Sequence, residues 1–311
     1  MPSRRDIGVT ALAPVIWGST YIVTTEFLPQ GIPLTVAMLR ALPAGVLLLL
    51  IVRQLPDREW IGRIFILGAL NFAVFWALLF VSAYRLPGGV AATVGSVQAL
   101  LVVFLSRVAL GTPIRVMAVI AAGLGMSGVA FLLLTPKAAL DPIGIAAGLG
   151  AAVSMAGGTV FSRHWRPPVS LLTFTAWQLT AGGMLLVPFV LIFEPVLPSL
   201  SGRNLIGFFY LSIIGAAITY FIWFRGIDRI APSAISTLGF LSPVSAVVLG
   251  WGFLDQSLTF GQILGAGIIL SSVWLGQKAA AARNTAPKTT GAKMSTEKAS
   301  NLYAGRVNVI E

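Results

Sequence analysis

The stretch AISTLGFLSPV, residues 234–244, decides how the rest of the sequence is interpreted. Its surroundings are apolar, which predicts a buried helix, yet it contains three hydroxyl residues and places Pro243 inside the run. A proline within a helix removes one backbone hydrogen bond and crowds the carbonyl four residues earlier, here that of Gly239. Such a helix needs surroundings that satisfy the freed carbonyl.

The composition indicates what those surroundings are. Of the 311 residues, 57% are hydrophobic and 10% are charged, and the mean hydropathy is +0.90. Soluble domains carry roughly a quarter of charged residues, so the sequence predicts an all-α membrane protein. The chain has no cysteine, which excludes disulfides and thiolate metal sites. We expect no cofactor and no metal.

Ten segments are long enough to cross a bilayer, because a span requires about 20 mainly apolar residues. The connections between them are short and rich in Pro and Gly, which end helices, and leave no room for a soluble domain. The predicted spans are residues 9–28, 33–52, 64–84, 87–106, 115–134, 142–162, 169–193, 204–224, 230–254 and 259–277.

The basic residues predict the orientation. With the N-terminus inside, the outer side collects only Arg85, Lys137 and Arg203, and the other Lys and Arg residues, except Arg40 within span 33–52, lie inside, as the positive-inside rule requires. We therefore expect residues 1–8 and a disordered basic tail, residues 279–311, to be cytoplasmic, in a bacterial inner membrane. The net charge of +11 then reflects topology, and we expect no nucleic-acid partner.

The two halves of the chain repeat each other. Without a gap, residues 90–105 align with residues 234–249, placing Thr93 on Thr237 and Gly95 on Gly239. A second alignment places Gly45 on Gly183. Two units of five spans, predicted as residues 9–138 and 139–278, enter the membrane from opposite sides. Such inverted repeats place substrate sites at their interface.

Three stretches carry a family resemblance: WGSTYIVTTEFLP (17–29), AMLRALPAG (37–45) and residues 233–276. They resemble the EamA-type repeats of the drug/metabolite transporter superfamily, and within it the ten-span amino-acid exporters of the YddG type. The resemblance implies two inverted five-helix repeats around a central cavity, lined mainly by the first, third and fourth spans of each repeat.

The sequence also departs from that family. Where the fourth span of a repeat commonly has a Glu-Pro pair, this chain has Gln98-Ala99 and Ser242-Pro243. The Glu that commonly follows this span is replaced by Gly111-Thr112 and by Asp255-Gln256. A mechanism that depends on those carboxylates is therefore in doubt.

Charged groups inside a bilayer are functional candidates by default, and away from span ends the sequence offers only Glu26 and Arg40. Glu26 lies in the outer turns of the first span. Arg40 could hold a substrate carboxylate, form an ion pair or bond helix-end carbonyls. The only histidine, His164, stands in FSRHWRPP and is expected in a solvated loop. A proton relay lacks its usual residues.

Neutral polar and aromatic side chains provide the remaining cavity candidates. Rings supply apolar area and a face that binds an ammonium group, which suits small zwitterions. We expect about half of the set to face the cavity. The candidates are Trp17, Tyr21, Asn71, Phe75, Gln98, Ser154, Thr159, Trp177, Gln178, Tyr220, Phe240 and Ser242.

These features predict a monomeric secondary carrier in the lipid bilayer that exports small metabolites, above all amino acids, by alternating access. An exporter of nucleotide sugars or drug-like solutes is the alternative. An enzyme is disfavoured because acids, bases and nucleophiles are not grouped. Gly95, Gly239 and Pro243 are the predicted hinge or packing positions. The two halves are expected to differ where Gln98 of the first repeat aligns with Ser242-Pro243 of the second.

Overall fold

A computed structural model describes residues 3–86, 88–133, 141–254 and 257–281 of the chain. Within these ranges the regular structure is entirely helical, and ten helical segments are long and apolar enough to cross a membrane. Five spans are single helices: Pro33–Val52 (span 2), Val116–Leu133 (span 5), Pro142–His164 (span 6), Leu171–Phe193 (span 7) and Phe260–Ala281 (span 10).

The other five spans are interrupted. Span 1 consists of Arg4–Gly18 and Thr20–Phe27, span 4 of Gly88–Gly95 and Gln98–Leu110, and span 9 of Pro232–Leu238 and Leu241–Phe253. Spans 3 and 8 each contain a π-helical segment. In span 3 the π-helical segment Ala69–Ala73 lies between the α-helices Arg58–Gly68 and Val74–Arg85. In span 8 the π-helical segment Tyr210–Ile218 lies between the α-helices Gly202–Phe209 and Thr219–Arg229.

The predicted number of spans is confirmed, and some predicted limits were too short. Span 1 begins at Arg4, because the Ser3 hydroxyl accepts the Asp6 N–H and the Asp6 carboxylate accepts the Ser3 N–H, which forms a capping box. Spans 3 and 8 begin at Arg58 and Gly202. The predicted disordered tail, residues 279–311, was taken to begin too early, because residues 279–281 belong to the helix of span 10. Its remaining residues lie outside the described part of the chain, and their disorder stays a prediction.

Spans 2 and 7 cross at a reciprocal contact. A Cβ atom added to Gly45 would lie 2.6 Å from Thr180 Oγ1, and one added to Gly183 would lie 2.7 Å from the Cα atom of Leu42. The alignment that pairs Gly45 with Gly183 also pairs Leu42 with Thr180. Each helix therefore presents the same positions to the other, as in a two-fold interface, which confirms the inverted repeat.

The two π-helical segments lie at equivalent positions in the two repeats. At the offset that pairs Thr93 with Thr237, Asn71 in the first segment pairs with Gly215 in the second. A π-helical turn displaces backbone carbonyls from the regular α-helical pattern and is frequent at functional sites. Spans 3 and 8 therefore carry equivalent irregular backbone near the middle of the bundle.

Spans 4 and 9 break at equivalent levels, through turns at residues 96–97 and 239–240. In span 9 the carbonyl of Gly239 accepts the N–H of Ser242 at 3.1 Å, so this carbonyl is satisfied by the backbone three residues ahead. Span 4 makes the same kind of bond, from Ala99 N–H to the Ser96 carbonyl at 3.3 Å. The break therefore occurs with proline in one half and with alanine in the other.

Gly95 and Gly239 lie at these breaks without serving helix packing. A Cβ atom at Gly95 would meet no atom within 4 Å, and one at Gly239 would meet only the Ser236 carbonyl of its own helix. The close packing in this region belongs to Thr237, whose Oγ1 would lie 2.6 Å from a Cβ atom at Gly276 of span 10. A hinge role for the two glycines remains a prediction.

We expect Gly45→Ala to destabilise the protein by about 1 to 3 kcal/mol, the usual cost of overpacking. The added methyl group would meet the Thr180 backbone, which cannot rotate away. Melting temperature in detergent measures the effect. Gly267→Ala is the matched control, because Gly267 is exposed on span 10 and its Cβ atom would meet nothing within 4 Å. Equal melting temperatures of the two variants would contradict the tight crossing.

We expect Pro243→Ala to change the free energy of unfolding by no more than about 1 kcal/mol, because span 4 forms the same break around Ala99. Thermal unfolding measures this change. Val103→Pro, four residues past Ala99 in a regular buried helix, is the control and should cost about 3 kcal/mol. Unfolding of Pro243→Ala under conditions where the parent is stable would show that the proline creates the break.

Candidate functional site

An aromatic cluster occupies the centre of the bundle. Tyr220 of span 8 lies 5.0 Å from the Trp17 ring of span 1 and 4.7 Å from the Phe72 ring of span 3, measured between centroids. The rings of Trp76 and Trp223 extend the cluster, at 5.4 Å from Phe72 and 5.1 Å from Trp17. Phe72 and Trp76 share a helix face because they are four residues apart. Rings from three spans thus converge.

Hydrogen bonds fix the cluster to the π-helical segment of span 8. The indole N–H of Trp17 donates to Thr219 Oγ1 at 2.9 Å, and the Thr219 hydroxyl donates to the Gly215 carbonyl at 2.8 Å. Trp17 is half-buried, whereas Tyr220 is buried. The chain of bonds links the most accessible ring of the cluster to irregular backbone.

Arg40 of span 2 lies beside this cluster. Its Nη2 donates to the Gly215 carbonyl at 2.7 Å, and its guanidinium carbon lies 5.4 Å from the centroid of the Trp76 ring. The side chain is buried, and its Nε makes no hydrogen bond to the protein. Of the interpretations that the sequence left open for Arg40, the structure has a bond to a carbonyl, within a span instead of at a helix end.

A second, uncharged polar cluster lies in the other half. Asn71 Nδ2 donates to Gln178 Oε1 at 2.8 Å and to Ser162 Oγ at 3.1 Å, and all three side chains are buried. Ser154 of span 6 donates to the Leu70 carbonyl at 2.9 Å. Three of the predicted cavity residues, Asn71, Ser154 and Gln178, therefore support the π-helical region of span 3.

The two clusters correspond under the repeat. The alignment of spans 2 and 7 pairs Arg40 with Gln178, and that of spans 3 and 8 pairs Asn71 with Gly215. In each half, a polar side chain from the second span of one repeat bonds the π-helical segment of the other. The halves differ in charge, since only one of them contains a cation.

Three predicted cavity residues lie elsewhere. Trp177 donates its indole N–H to the Gln54 carbonyl at 2.6 Å and packs near the N-terminal end of span 7, as an anchor. Thr159 donates to the Met155 carbonyl of its own helix. Phe240 packs against Gly125 of span 5. Their assignment to the cavity stays a prediction, because the facing direction of a helix that is apolar all round cannot be deduced from spacing alone.

The remaining candidates are placed as follows. Phe75 is half-buried and packs against the core that contains Phe72 and Tyr220. Gln98 and Ser242 are half-buried and lie just beyond the breaks of spans 4 and 9. Tyr21 belongs to the helix of span 1, but its side chain lies outside the described part of the structure.

The other ionisable candidates are peripheral. Glu26 is exposed and pairs with Arg203 at 3.4 Å, beside the connection that precedes span 8. His164 is exposed at the end of span 6. Neither side chain reaches the aromatic cluster.

Sequence reasoning missed Phe72, Trp76, Trp223 and Thr219. The four-residue spacing of Phe72 and Trp76, on each side of the candidate Phe75, could have indicated that these two rings share a helix face. Trp223 is three residues after Tyr220 and therefore lies on the same helix face. The role of Thr219 depends on the π-helical turn, which no local pattern in this sequence indicates.

The N-terminal face of the bundle, which carries Arg4 and the connection between spans 8 and 9, is closed by charged groups. Asp6 of span 1 accepts from Arg225 at 2.7 Å and from Arg229 at 3.1 Å, both of span 8. Arg163 of span 6 donates to the carbonyls of Ile227 and Ile230. The two repeats are therefore tied together on this face.

Spans 4 and 9 follow the same asymmetry. Near the N-terminal face, Gln98–Leu110 of span 4 packs on Pro232–Leu238 of span 9. Near the opposite face, Gly88–Gly95 of span 4 packs on spans 5 and 6, and Leu241–Phe253 of span 9 packs mainly on span 1. Residues 241–247 are half-buried throughout, so neither side of that helix is fully covered. Spans 4 and 9 are therefore packed on each other near the N-terminal face and on other spans near the opposite face.

The opposite face is held by separate contacts. The Glu194 carboxylate accepts the N–H groups of Leu34 and Thr35, at 2.5 and 2.7 Å, and so ties the end of span 7 to the start of span 2. The Asp141 carboxylate accepts the Gly144 N–H at 2.9 Å, which lowers the pKa of Asp141, and Arg85 at 3.5 Å contributes to the same shift. Both contacts stabilise helix N-termini.

Ten spans, an inverted repeat and a central site closed toward one face define a membrane transport protein. The sequence matches the EamA-like transporter family over residues 6–134 and 142–276, one match for each half. The chain therefore belongs to the EamA-like transporter family and is a transporter rather than an enzyme.

Individual relatives support this assignment. The chain is 45% identical to Protein PecM of Dickeya dadantii over 84% of this chain and 88% of that protein. It is 30% identical to the uncharacterized inner membrane transporter YedA of Escherichia coli, over 84% of this chain and 87% of that protein. A crystal structure with 19% identity superposes with a TM-score of 0.76 over 89% of this chain and 99% of the other, which supports the fold.

We expect Asp6→Asn to loosen the closed N-terminal face, because two arginines lose their shared carboxylate. In a Ser236→Cys background, alkylation of the buried introduced thiol should become about two- to fivefold faster, which corresponds to the loss of a partly exposed ion pair. The natural absence of cysteine makes this label specific.

Asp57→Asn is the matched control, since Asp57 is an exposed carboxylate near the same face. Equal alkylation rates in the Asp6→Asn and Asp57→Asn variants would show that the Asp6 cluster does not hold this face closed.

Proposed function

We propose that this protein is a secondary transporter that exports small metabolites, above all amino acids, across the bacterial cytoplasmic membrane by alternating access. The asymmetric closure of a symmetric fold is the observation that supports this proposal. Spans 4 and 9 are equivalent and broken at equivalent levels, yet they are packed together on one face only. Exchanging the conformations of the two repeats would open the closed face and close the other.

The orientation belongs to the same proposal. With both termini cytoplasmic, the basic N-terminal face closed by Asp6, Arg225 and Arg229 is the cytoplasmic face. The described conformation then opens outward and corresponds to the stage of export at which a substrate leaves. The protein acts as a monomer in the bilayer, because one chain supplies both repeats.

The chemistry of the central site favours a small zwitterion. The rings of Trp17 and Tyr220 offer faces on which an ammonium group is stabilised. Among the described residues, Arg40 is the only buried arginine or lysine. Nucleotide sugars or other phosphorylated solutes, which carry two or more negative charges, would require additional buried bases. Drug-like solutes remain the second candidate, supported by the aromatic content of the site.

Reconstitution in liposomes tests the proposal. Liposomes preloaded with L-threonine, L-methionine or L-phenylalanine should release at least one of them in a protein-dependent, saturable way that an excess of unlabelled solute inhibits. Trp17→Leu should reduce this flux at least about tenfold, because a cluster ring with its hydrogen bond to Thr219 is lost.

Trp251→Leu is the matched control, because Trp251 is exposed on the outer surface of span 9. Absence of flux for all three amino acids would overturn the amino-acid assignment. Flux that rises linearly with concentration would overturn the carrier mechanism.

A further inference from the structure

Arg40 carries a charge that its hydrogen bond to the Gly215 carbonyl does not require, since a neutral donor could make such a bond. In the other half, the repeat-related Gln178 bonds the π-helical segment of span 3 through Asn71 with a neutral amide. A buried charge costs several kcal/mol unless it is paired, and in the described part of the chain no carboxylate lies within 4 Å of Arg40. Helix support therefore does not account for the guanidinium.

Arg40 has an unused donor beside its bond to Gly215. The Nε–H and one Nη2–H of an arginine point in parallel, and a carboxylate with two oxygens engages both of them. Here Nη2, which carries two hydrogens, donates to the Gly215 carbonyl, while the buried Nε–H has no partner. A carboxylate at this edge would give Nε–H the acceptor that it lacks.

The Gly215 carbonyl can release Arg40 without becoming unpaired. It also accepts the Thr219 hydroxyl at 2.8 Å, and Thr219 in turn accepts the Trp17 indole N–H. Exchange of this carbonyl for another acceptor therefore leaves no orphaned backbone group.

We propose that Arg40 is the group that binds the substrate carboxylate, which replaces the Gly215 carbonyl and engages Nε and Nη2 together. The ring of Trp76, 5.4 Å from the guanidinium, and the neighbouring ring of Tyr220 flank this position. One cation neutralises one carboxylate, whereas a phosphate dianion would leave net negative charge inside the membrane. The inference rests on the proposed amino-acid transport and assigns its charged contact.

Carboxylate binding would also couple the substrate to the conformation of span 8. Arg40 bridges span 2 and the π-helical segment, and Thr219 and Trp17 extend that bridge to span 1. When the substrate takes the guanidinium, the tie between spans 2 and 8 is removed. The repeat-related tie through Asn71 and Gln178 contains no such exchangeable charge.

The test compares acids with their carboxamides on the purified full-length chain. Probes are L-threonine, L-methionine and L-phenylalanine, each with its carboxamide, in thermal-shift titrations and in liposome counterflow. In the parent protein, an acid should have a half-saturating concentration at least about tenfold lower than its amide, the value of one charge-assisted hydrogen-bond pair.

Arg40→Gln removes the charge and, because its amide ends two bonds short of Nη2, also the bond to Gly215, whose carbonyl keeps the Thr219 hydroxyl. This variant should lose the preference for the acid, with the half-saturating concentration of the acid raised at least about tenfold. Arg40→Lys, which keeps the charge and loses the bidentate edge, should be intermediate. Arg203→Gln is the matched control, because it removes an exposed arginine and should leave the preference unchanged.

The outcomes separate the two proposals. Saturable amino-acid flux in the parent with equal responses to acid and amide, or an unchanged preference in Arg40→Gln, overturns the Arg40 assignment and leaves the proposed function intact. No response to any acid overturns the proposed function and the assignment with it. If Arg40→Gln fails to fold, the comparison of acid and amide in the parent protein decides.

Discussion

The crossing of spans 2 and 7 at Gly45 and Gly183 is the contact on which the rest of the architecture depends. Lipid tails are as apolar as leucine side chains, so helices in a bilayer associate through close packing and through polar bonds. The two glycines allow the backbones to approach, and Arg40 and Gln178 lie on these same helices at repeat-related positions. The crossing therefore sets how each side chain reaches the π-helical segment of the opposite repeat.

Irregular backbone inside a membrane has to be satisfied by protein, since no water is available in the hydrocarbon region. Here Ser154 donates to the Leu70 carbonyl in the π-helical segment of span 3, and Arg40 donates to the Gly215 carbonyl in that of span 8. The turns in spans 4 and 9 are served by their own backbone N–H groups. Because both repeats contain these features, a difference between the halves shows where one repeat has a residue that the shared fold does not require. The main difference is a guanidinium in one half where the other has an amide.

Much of the fold and part of the site could be predicted from the sequence. The spans and the repeat followed from hydropathy and from an ungapped alignment, because a bilayer fixes helix length. Trp17, Tyr220 and Arg40 were identified by residue type. The positions of Trp177 and Phe240 outside the aromatic cluster could not be predicted, because both lipid and core are apolar, so hydrophobic periodicity does not show which face of a span is inside. At Gly95 and Gly239 the contacts do not support the packing alternative, because the close packing belongs to Thr237 and Gly276, and the hinge alternative stays a prediction.

The sequence by itself determined that this protein is a ten-span membrane protein with an inverted duplication and a transporter of a known type, since length, hydropathy and repetition are properties of the chain. Only the tertiary structure decided which polar groups meet. Pro243 in AISTLGFLSPV suggested a defect confined to one half, but span 4 breaks at the same level around Ala99. The break is therefore set by how the helices pack, and proline accommodates it. The pairing of Arg40 with Gly215 was likewise decided in three dimensions, because distant segments supply the two groups and a π-helical turn brings them together.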